Sequence, residues 1–173
     1  MSDPAPPRLL VIMGVSGCGK TSVGRRLAGT LDWPFMEGDE LHSPANVAKM
    51  AAGIPLEDSD RWPWLHSVAA WLDDQLAAGE HGVVACSALK RSYRELLCGG
   101  RPSLRFVYLC VERAELERRL AQRRGHYMPA TLLDSQLATL QEPAEDEPAL
   151  TIDANGSIDE TVVAVLQAVR GEC

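Results

Sequence analysis

The sequence contains no long apolar segment and no excess of basic residues. Its longest apolar stretch near the start, Leu9 to Met13, is too short for a signal-peptide core or a membrane span, and no basic segment precedes it. Lys and Arg number 17 against 24 Asp and Glu, which gives a formal net charge of -7. We therefore expect neither a nucleic acid nor a membrane as a partner, and any anionic ligand must be bound by a local cluster of donors.

The sequence also lacks the C-x-x-C spacing that is typical of many zinc sites. Its five cysteines are odd in number and far apart: Cys18, Cys86, Cys98, Cys110 and Cys173. This pattern indicates reduced thiols rather than a disulfide framework. We expect a cytoplasmic protein.

Length and composition predict one domain. The chain has 173 residues, of which 46% are hydrophobic and 24% charged, as is ordinary for one globular core. Residues 1–7 contain three prolines and are predicted to form a flexible tail. Residues 8–173 then form a single domain.

Continuous apolar runs alternate along this domain with segments of helical spacing. The runs predict strands at 8–13, 34–39, 83–86, 104–111 and 150–153. Helices are predicted at 21–31, 43–50, 59–78, 88–97, 113–124, 129–140 and 158–169. Strands that alternate with helices form βαβ units, so the sequence predicts an α/β fold with a mostly parallel sheet covered on both faces.

A glycine-rich segment follows the first predicted strand and opens the first helix. It matches the pattern G-x-x-x-x-G-K-[ST] of phosphate-binding loops and comprises Gly14, Val15, Ser16, Gly17, Cys18, Gly19, Lys20 and Thr21. Glycines let backbone N–H groups surround a phosphate, and the helix N-terminus favours the same anion. Lys20 can reach the β- and γ-phosphates, and the Thr21 hydroxyl can bind Mg²⁺. We expect ATP as the cofactor, together with Mg²⁺.

A phosphate-binding loop alone does not distinguish a kinase, a GTPase-like switch and an ATP-driven machine. The guanine-selective pattern Asn-Lys-x-Asp is absent from the sequence. A small kinase needs one further acid that orients and deprotonates the acceptor hydroxyl. Asp39, just beyond the second strand, is the candidate, and Glu37 could hold a water of the Mg²⁺ shell. The alternative is that both are solvated loop acids.

Polar residues are frequent in the segment that follows Asp39. His42, Asn46, Lys49, Asp60 and Arg61 lie where an acceptor-binding insertion would occur. Each taken singly is more often a surface residue, but together they favour a binding segment. Trp62 and Trp64 are expected to pack in the core or at a hinge.

Six segments in succession resemble the signatures of gluconate kinases. They are the phosphate-binding loop, 38–50 (GDELHSPANVAKM), 53–65 (GIPLEDSDRWPWL), 86–94 (CSALKRSYR), 125–129 (GHYMP) and 133–136 (LDSQ). The resemblance covers roughly residues 8–143, and the later segments are more specific than the loop. The sequence departs from the family at Cys18 and Thr21, where serines are commoner, and at Tyr127, where Phe is usual. Thr keeps the hydroxyl and Tyr keeps the ring.

The resemblance implies a three-layer P-loop fold like that of nucleoside monophosphate kinases. It implies the reaction of ATP with D-gluconate to give 6-phospho-D-gluconate and ADP, with Mg²⁺, and a homodimer. Asp39 would then be the base, an acceptor-binding insertion would follow it at about 40–65, and a lid would span about 118–130. The substrate-binding candidates are Asp39, His42, Lys49, Arg61, Lys90, Arg94 and His126. The sequence does not indicate which cation meets the gluconate carboxylate. Lys90 could equally be a surface charge.

Arginines are concentrated in the helix that leads to Gly125. Arg119 and Arg123 lie four residues apart and so share a face. In a mobile lid, such an arginine closes over the transferring phosphoryl group and excludes water. Arg123 is the leading catalytic candidate and Arg119 the second, while Arg118 is expected to be a surface residue. The alternative for all of them is a solvated basic face.

The sequence argues against three alternatives to gluconate phosphorylation. Shikimate kinases normally carry Gly-Gly-Gly after the third strand, where this chain has Cys86-Ser87-Ala88. Nucleoside monophosphate kinases carry a Gly-aromatic-Pro-Arg segment there, which is also absent. A non-catalytic ATP sensor requires neither Asp39 nor lid arginines.

Overall fold

The computed structural model describes residues 6–123 and 130–171. Most of the predicted tail, 1–5, lies outside the described residues, as do Arg124, His126 and Cys173. The sheet has five parallel strands in the order β2-β3-β1-β4-β5. Their bounds are Leu9–Met13 (β1), Phe35–Glu37 (β2), Gly82–Ala85 (β3), Leu104–Cys110 (β4) and Ala149–Asp153 (β5). The predicted α/β fold with a parallel sheet is confirmed.

Helices connect these strands at nearly the predicted positions. They are α1 (Lys20–Leu31), α2 (Pro44–Ala51), α3 (Asp58–Ala77), α4 (Arg91–Cys98), α5 (Arg113–Gln122), α6 (Ala130–Thr139) and α7 (Ile158–Gly171). Among the described residues, no helix combines the length and the apolar character needed to cross a lipid bilayer.

The sheet separates two hydrophobic cores because both of its faces are covered. All of β1 is buried, and alternate residues enter opposite cores. Leu10 and Ile12 pack with apolar residues of α1, α5 and α7, whereas Leu9, Val11 and Met13 pack with those of α3 and α4. This alternation explains why the β1 segment is a continuous apolar run.

The carboxyl ends of β1, β2 and β3 bring three chain segments to one edge of the sheet. β1 lies between β3 and β4, where the strand order reverses. Ligands bind at such a point in open α/β sheets. The loops meet directly there, since the backbone N–H of Gly14 donates to the carbonyl oxygen of Ser87 at 3.2 Å. Beneath this edge, burial raises the pKa of the Cys86 thiol to about 12, so the thiol is a neutral packing group.

The second strand is shorter than the predicted range of 34–39. The strand ends at Glu37, and a short 3₁₀ helix, Gly38–Leu41, follows. Gly38 lies against the end of β3, because a Cβ placed on it would be 2.3 Å from the carbonyl oxygen of Ala85. The indole Nε1 of Trp64 donates to the Gly38 carbonyl oxygen at 2.8 Å. These two contacts fix the turn that carries Asp39.

Substitution Gly38→Ala should displace this turn from β3. Relieving the clash requires a backbone shift, and overpacking of this kind costs about 1–3 kcal/mol. We expect a lower melting temperature in differential scanning calorimetry and a lower turnover rate. Gly29→Ala is the matched control, because Gly29 is helical and a Cβ there meets nothing within 4 Å. That control should raise stability by about 0.5–1 kcal/mol. Equal melting temperatures for Gly38→Ala and the unsubstituted protein would contradict the packing described.

Candidate active site

The phosphate-binding loop connects β1 to α1 in a conformation that requires glycine at its first position. Gly14 has φ +142°, and a Cβ on it would lie 2.7 Å from Sγ of Cys18. Cys18 is buried, so its side chain packs inside the loop. Nζ of Lys20 lies 3.0 Å from the carbonyl oxygen of Gly14 and 3.2 Å from that of Val15. The lysine ammonium is therefore held over the loop.

The two predicted metal-binding residues contact each other. The Thr21 hydroxyl donates to Oε2 of Glu37. Oε1 of Glu37 accepts from the backbone N–H of Asp39 at 3.4 Å. Hydroxyl and carboxylate oxygens are the donors that Mg²⁺ prefers, and Mg²⁺ in kinases usually binds only one or two protein oxygens. This pair therefore fits a Mg²⁺ site in which phosphate and water supply the other ligands.

One pocket at the sheet edge contains several of the predicted residues. It is bounded by the phosphate-binding loop, the 3₁₀ turn, the start of α3, the β3–α4 loop and α6. Its polar lining residues are Ser16, Lys20, Asp39, His42, Arg61, Ser87, Ser135 and Gln136. The structure thus brings the loop lysine and the candidate base together, with a guanidinium and an imidazole beside them.

His42 is held rigidly in this pocket. Its side chain is only 4% exposed, and its ring stacks on Trp64 with centroids 4.1 Å apart and an interplanar angle of 17°. Burial lowers the pKa of the His42 imidazole from its usual value; Asp39 opposes this effect, and Arg61 adds to it. The imidazole is therefore neutral at pH 7. Trp64, expected only to pack in the core or at a hinge, also positions a site residue.

Arg61 is held at the pocket by Tyr93. The guanidinium Nη1 donates to the Tyr93 hydroxyl at 3.1 Å and lies over the ring, with Cζ 5.7 Å from its centroid. The Tyr93 hydroxyl in turn donates to Asp58. Tyr93 therefore positions Arg61, a role that no local sequence pattern indicates.

Two predicted substrate-binding lysines form ion pairs instead. Lys49 Nζ lies 3.0 and 2.9 Å from the carboxylate oxygens of Asp60. Lys90 Nζ lies 2.9 and 3.2 Å from those of Asp58. Neither lysine is among the described residues that line the pocket. The acidic residues at the start of α3, Asp58 and Asp60, hold both ammonium groups at the edge of the pocket.

The structure does not bring Arg94 into the pocket. Its side chain is 1% exposed and pairs with Glu147, whose carboxylate accepts from Nε at 2.6 Å. Its Nη1 donates to the carbonyl oxygens of Ala88 and Leu89, at 2.9 and 3.1 Å. All of these contacts are internal, so Arg94 supports the β3–α4 loop and is not positioned for substrate.

The two lid candidates lie in a separate groove beside the phosphate-binding loop. The Arg119 guanidinium donates to four backbone carbonyl oxygens, those of Gly17, Cys18, Ala154 and Gly156. Arg123, at the end of α5, is exposed and lines the same groove. The predicted lid continues through 124–129. These residues, which include His126, lie outside the described residues.

Gln136 on α6 was not predicted as a site residue. Its Oε1 accepts from the backbone N–H of Ser16 at 2.7 Å, and its Nε2 donates to the Ser16 hydroxyl at 3.2 Å. The sequence signal was present, because Gln136 belongs to the LDSQ segment. That segment resembles a signature of gluconate kinases, but the resemblance does not indicate a role for the Gln136 side chain.

Known proteins resemble this chain in sequence and in fold. A family model described as an AAA domain matches residues 9–143. A gluconokinase of Gluconobacter oxydans is 49% identical, over 96% of this chain and 93% of that protein. A crystal structure of a gluconokinase from Sinorhizobium meliloti has a TM-score of 0.84 at 43% identity, covering 96% of this chain and 93% of that one.

A shikimate kinase from Bacteroides thetaiotaomicron shares the fold alone. Its TM-score is 0.65 at 17% identity, with 94% of this chain and 98% of that chain covered. The phosphate-binding loop, the parallel sheet and the high identity to gluconokinases over nearly the whole length together assign the family. The chain belongs to the gluconokinase family of P-loop kinases.

Proposed function

We propose that this protein transfers the γ-phosphoryl group of ATP to D-gluconate and releases 6-phospho-D-gluconate and ADP. The observation that carries the proposal is the single pocket in which Lys20 of the phosphate-binding loop lies with Asp39, His42 and Arg61. Membership in the gluconokinase family supports gluconate as the acceptor.

The nucleotide is bound by the phosphate-binding loop. Backbone N–H groups of 14–21 and the N-terminus of α1 surround the β-phosphate, and Lys20 neutralises charge on the β- and γ-phosphates. The groove beside the loop, where Arg119 and Asn155 lie, is open for the nucleoside. Thr21 and Glu37 would hold Mg²⁺, which would supply positive charge beside the transferring phosphoryl group.

Asp39 is the base in this proposal. Its side chain is 67% exposed, yet its backbone is fixed by the 3₁₀ turn and by Glu37. The carboxylate accepts the proton of the acceptor hydroxyl as that oxygen forms its bond to phosphorus and the bond to ADP breaks. Positioning and charge neutralisation supply the rest of the catalysis.

Arg61 is the cation that meets the gluconate carboxylate. Lys49, Lys90 and Arg94 are each paired with an acidic side chain, whereas Arg61 lines the pocket with a neutral hydroxyl as its hydrogen-bond partner. A guanidinium binds a carboxylate through two parallel hydrogen bonds. The homodimer and the cytoplasmic location remain predictions from the resemblance and from the cysteine pattern.

Substitution Asp39→Asn should abolish gluconate-dependent ADP release while ATP binding persists, because the amide cannot accept the proton. A coupled assay with gluconate, shikimate, glycerate and nucleoside monophosphates measures ADP release. Titration calorimetry measures ATP binding. Glu40→Gln is the matched control on the same turn and should turn over normally. Activity of the unsubstituted protein on shikimate but not on gluconate would overturn the proposed function.

Substitution of either lid arginine should reduce turnover, whereas substitution of their neighbour Arg118 should not. Arg123→Ala and Arg119→Ala are each expected to reduce turnover, by roughly 10³-fold for the arginine that contacts the transferring phosphoryl group. Arg118→Ala is the control, since the Arg118 side chain is exposed and pairs with Glu115. Steady-state kinetics measures turnover, and circular dichroism confirms folding. Normal turnover of both Arg119→Ala and Arg123→Ala would refute a catalytic lid arginine.

A further inference from the structure

Asn46 is a buried polar residue to which the proposed reaction assigns no role. It lies on α2 and is 5% exposed. Its side-chain Nδ2 donates to the backbone carbonyl oxygen of Asp60 at 2.9 Å and lies 3.2 Å from Nδ1 of His42. A buried amide needs hydrogen-bond partners of this kind. One partner here is a carbonyl oxygen, which can only accept, and the other is an imidazole nitrogen, which accepts or donates according to its tautomer.

The Asp60 carbonyl fixes the orientation of the Asn46 amide. A backbone carbonyl oxygen can only accept a hydrogen bond, so the amide atom that faces it must be the nitrogen. The same nitrogen faces Nδ1 of His42. An amide nitrogen can only donate, and Nδ1 must therefore be an acceptor without a proton.

The tautomer of His42 follows from this chain of contacts. A neutral imidazole that accepts at Nδ1 carries its proton on Nε2. Two charged groups bear on the ring, Asp39 from the 3₁₀ turn and Arg61 from α3. On the adjacent helix α2, the charge of Lys49 is paired with Asp60. The stack on Trp64 fixes the plane of the ring, and burial favours its neutral form.

The protonated nitrogen faces the candidate base. Nε2 of His42 lies 4.0 Å from Oδ1 of Asp39, which is too long for a direct hydrogen bond. A donor and an acceptor at that separation can both reach the oxygen of one alcohol, because the N–H can donate to it while the carboxylate accepts its proton. An imidazolium there would stabilise the carboxylate and weaken its capacity to accept that proton.

We propose that Asn46 is a positioning residue that locks His42 as the neutral Nε2–H tautomer, so that His42 donates a hydrogen bond to the acceptor alcohol beside Asp39. The donation to the alcohol rests on the proposed function, whereas the tautomer lock does not. Specificity follows as well, since the site offers an uncharged donor for a hydroxyl and leaves the gluconate carboxylate to Arg61.

The protonation state can be read directly from long-range ¹H–¹⁵N spectra of the full-length protein labelled with [¹⁵N]histidine. The signals of His42 are assigned by their loss in His42→Gln. At pH 7 we expect a bare Nδ1 and a protonated Nε2. A proton on Nδ1, or on both nitrogens, overturns the proposal even if gluconate is phosphorylated. If the proton is on Nε2 but gluconate is not turned over, the proposed function fails and the tautomer lock stands.

Two variants that add a negative charge on α2 test whether the side chain at position 46 sets the protonation of His42. Asn46→Asp places a carboxylate against Nδ1 and should give a doubly protonated His42 at pH 7. Its kcat/KM for gluconate should fall about tenfold at pH 7, because the imidazolium makes the Asp39 carboxylate a weaker base by about the same factor. Raising the pH should not restore it, because the carboxylate at position 46 keeps the remaining proton on Nδ1 and leaves Nε2 without one. Val47→Asp adds the same charge at a neighbouring exposed position and should leave the spectrum and the pH profile unchanged. An unchanged His42 spectrum in folded Asn46→Asp would contradict the lock.

Discussion

The site depends on how closely the 3₁₀ turn packs against the end of β3. Gly38 is held between the Ala85 carbonyl oxygen and the Trp64 indole, and both contacts involve backbone or a buried ring. The position of Asp39 relative to Lys20 therefore derives from the sheet rather than from a mobile loop. Trp64 acts twice, because the ring that anchors the turn also stacks on His42. A rigid support of this kind suits phosphoryl transfer, which demands positioning more than covalent chemistry.

Charge is distributed in a way that suits an anionic substrate in an acidic protein. The net charge of -7 repels gluconate and ATP at long range, so binding relies on local donors. Nearby cations are paired with acidic groups, as Lys49 is with Asp60 and Lys90 with Asp58. Arg61 instead lines the pocket and donates a hydrogen bond to the neutral hydroxyl of Tyr93. Pairing the surrounding cations keeps competing positive charges away from the carboxylate site.

Sequence patterns predicted the strands, the helices and the phosphate-binding loop, because these follow from local periodicity and from the spacing of a few residues. The same reasoning selected Asp39, His42 and Arg61, which line one pocket in the structure. It was wrong in bringing Arg94 to the substrate, since the partner Glu147 lies 53 residues away and no local pattern reveals such a pairing. Gln136 was missed for a related reason, and Asn46 was predicted only as one polar residue of the binding segment: their contacts form only when α6 and α2 pack against the site.

The most direct test of this account is a crystal structure with D-gluconate and a non-hydrolysable ATP analogue. We expect the terminal hydroxyl of gluconate within hydrogen-bonding distance of the Asp39 carboxylate and in line with the γ-phosphate on the phosphate-binding loop. The gluconate carboxylate should be at Arg61. Gluconate bound away from this pocket, or an Asp39 side chain turned away from the acceptor hydroxyl, would contradict the account.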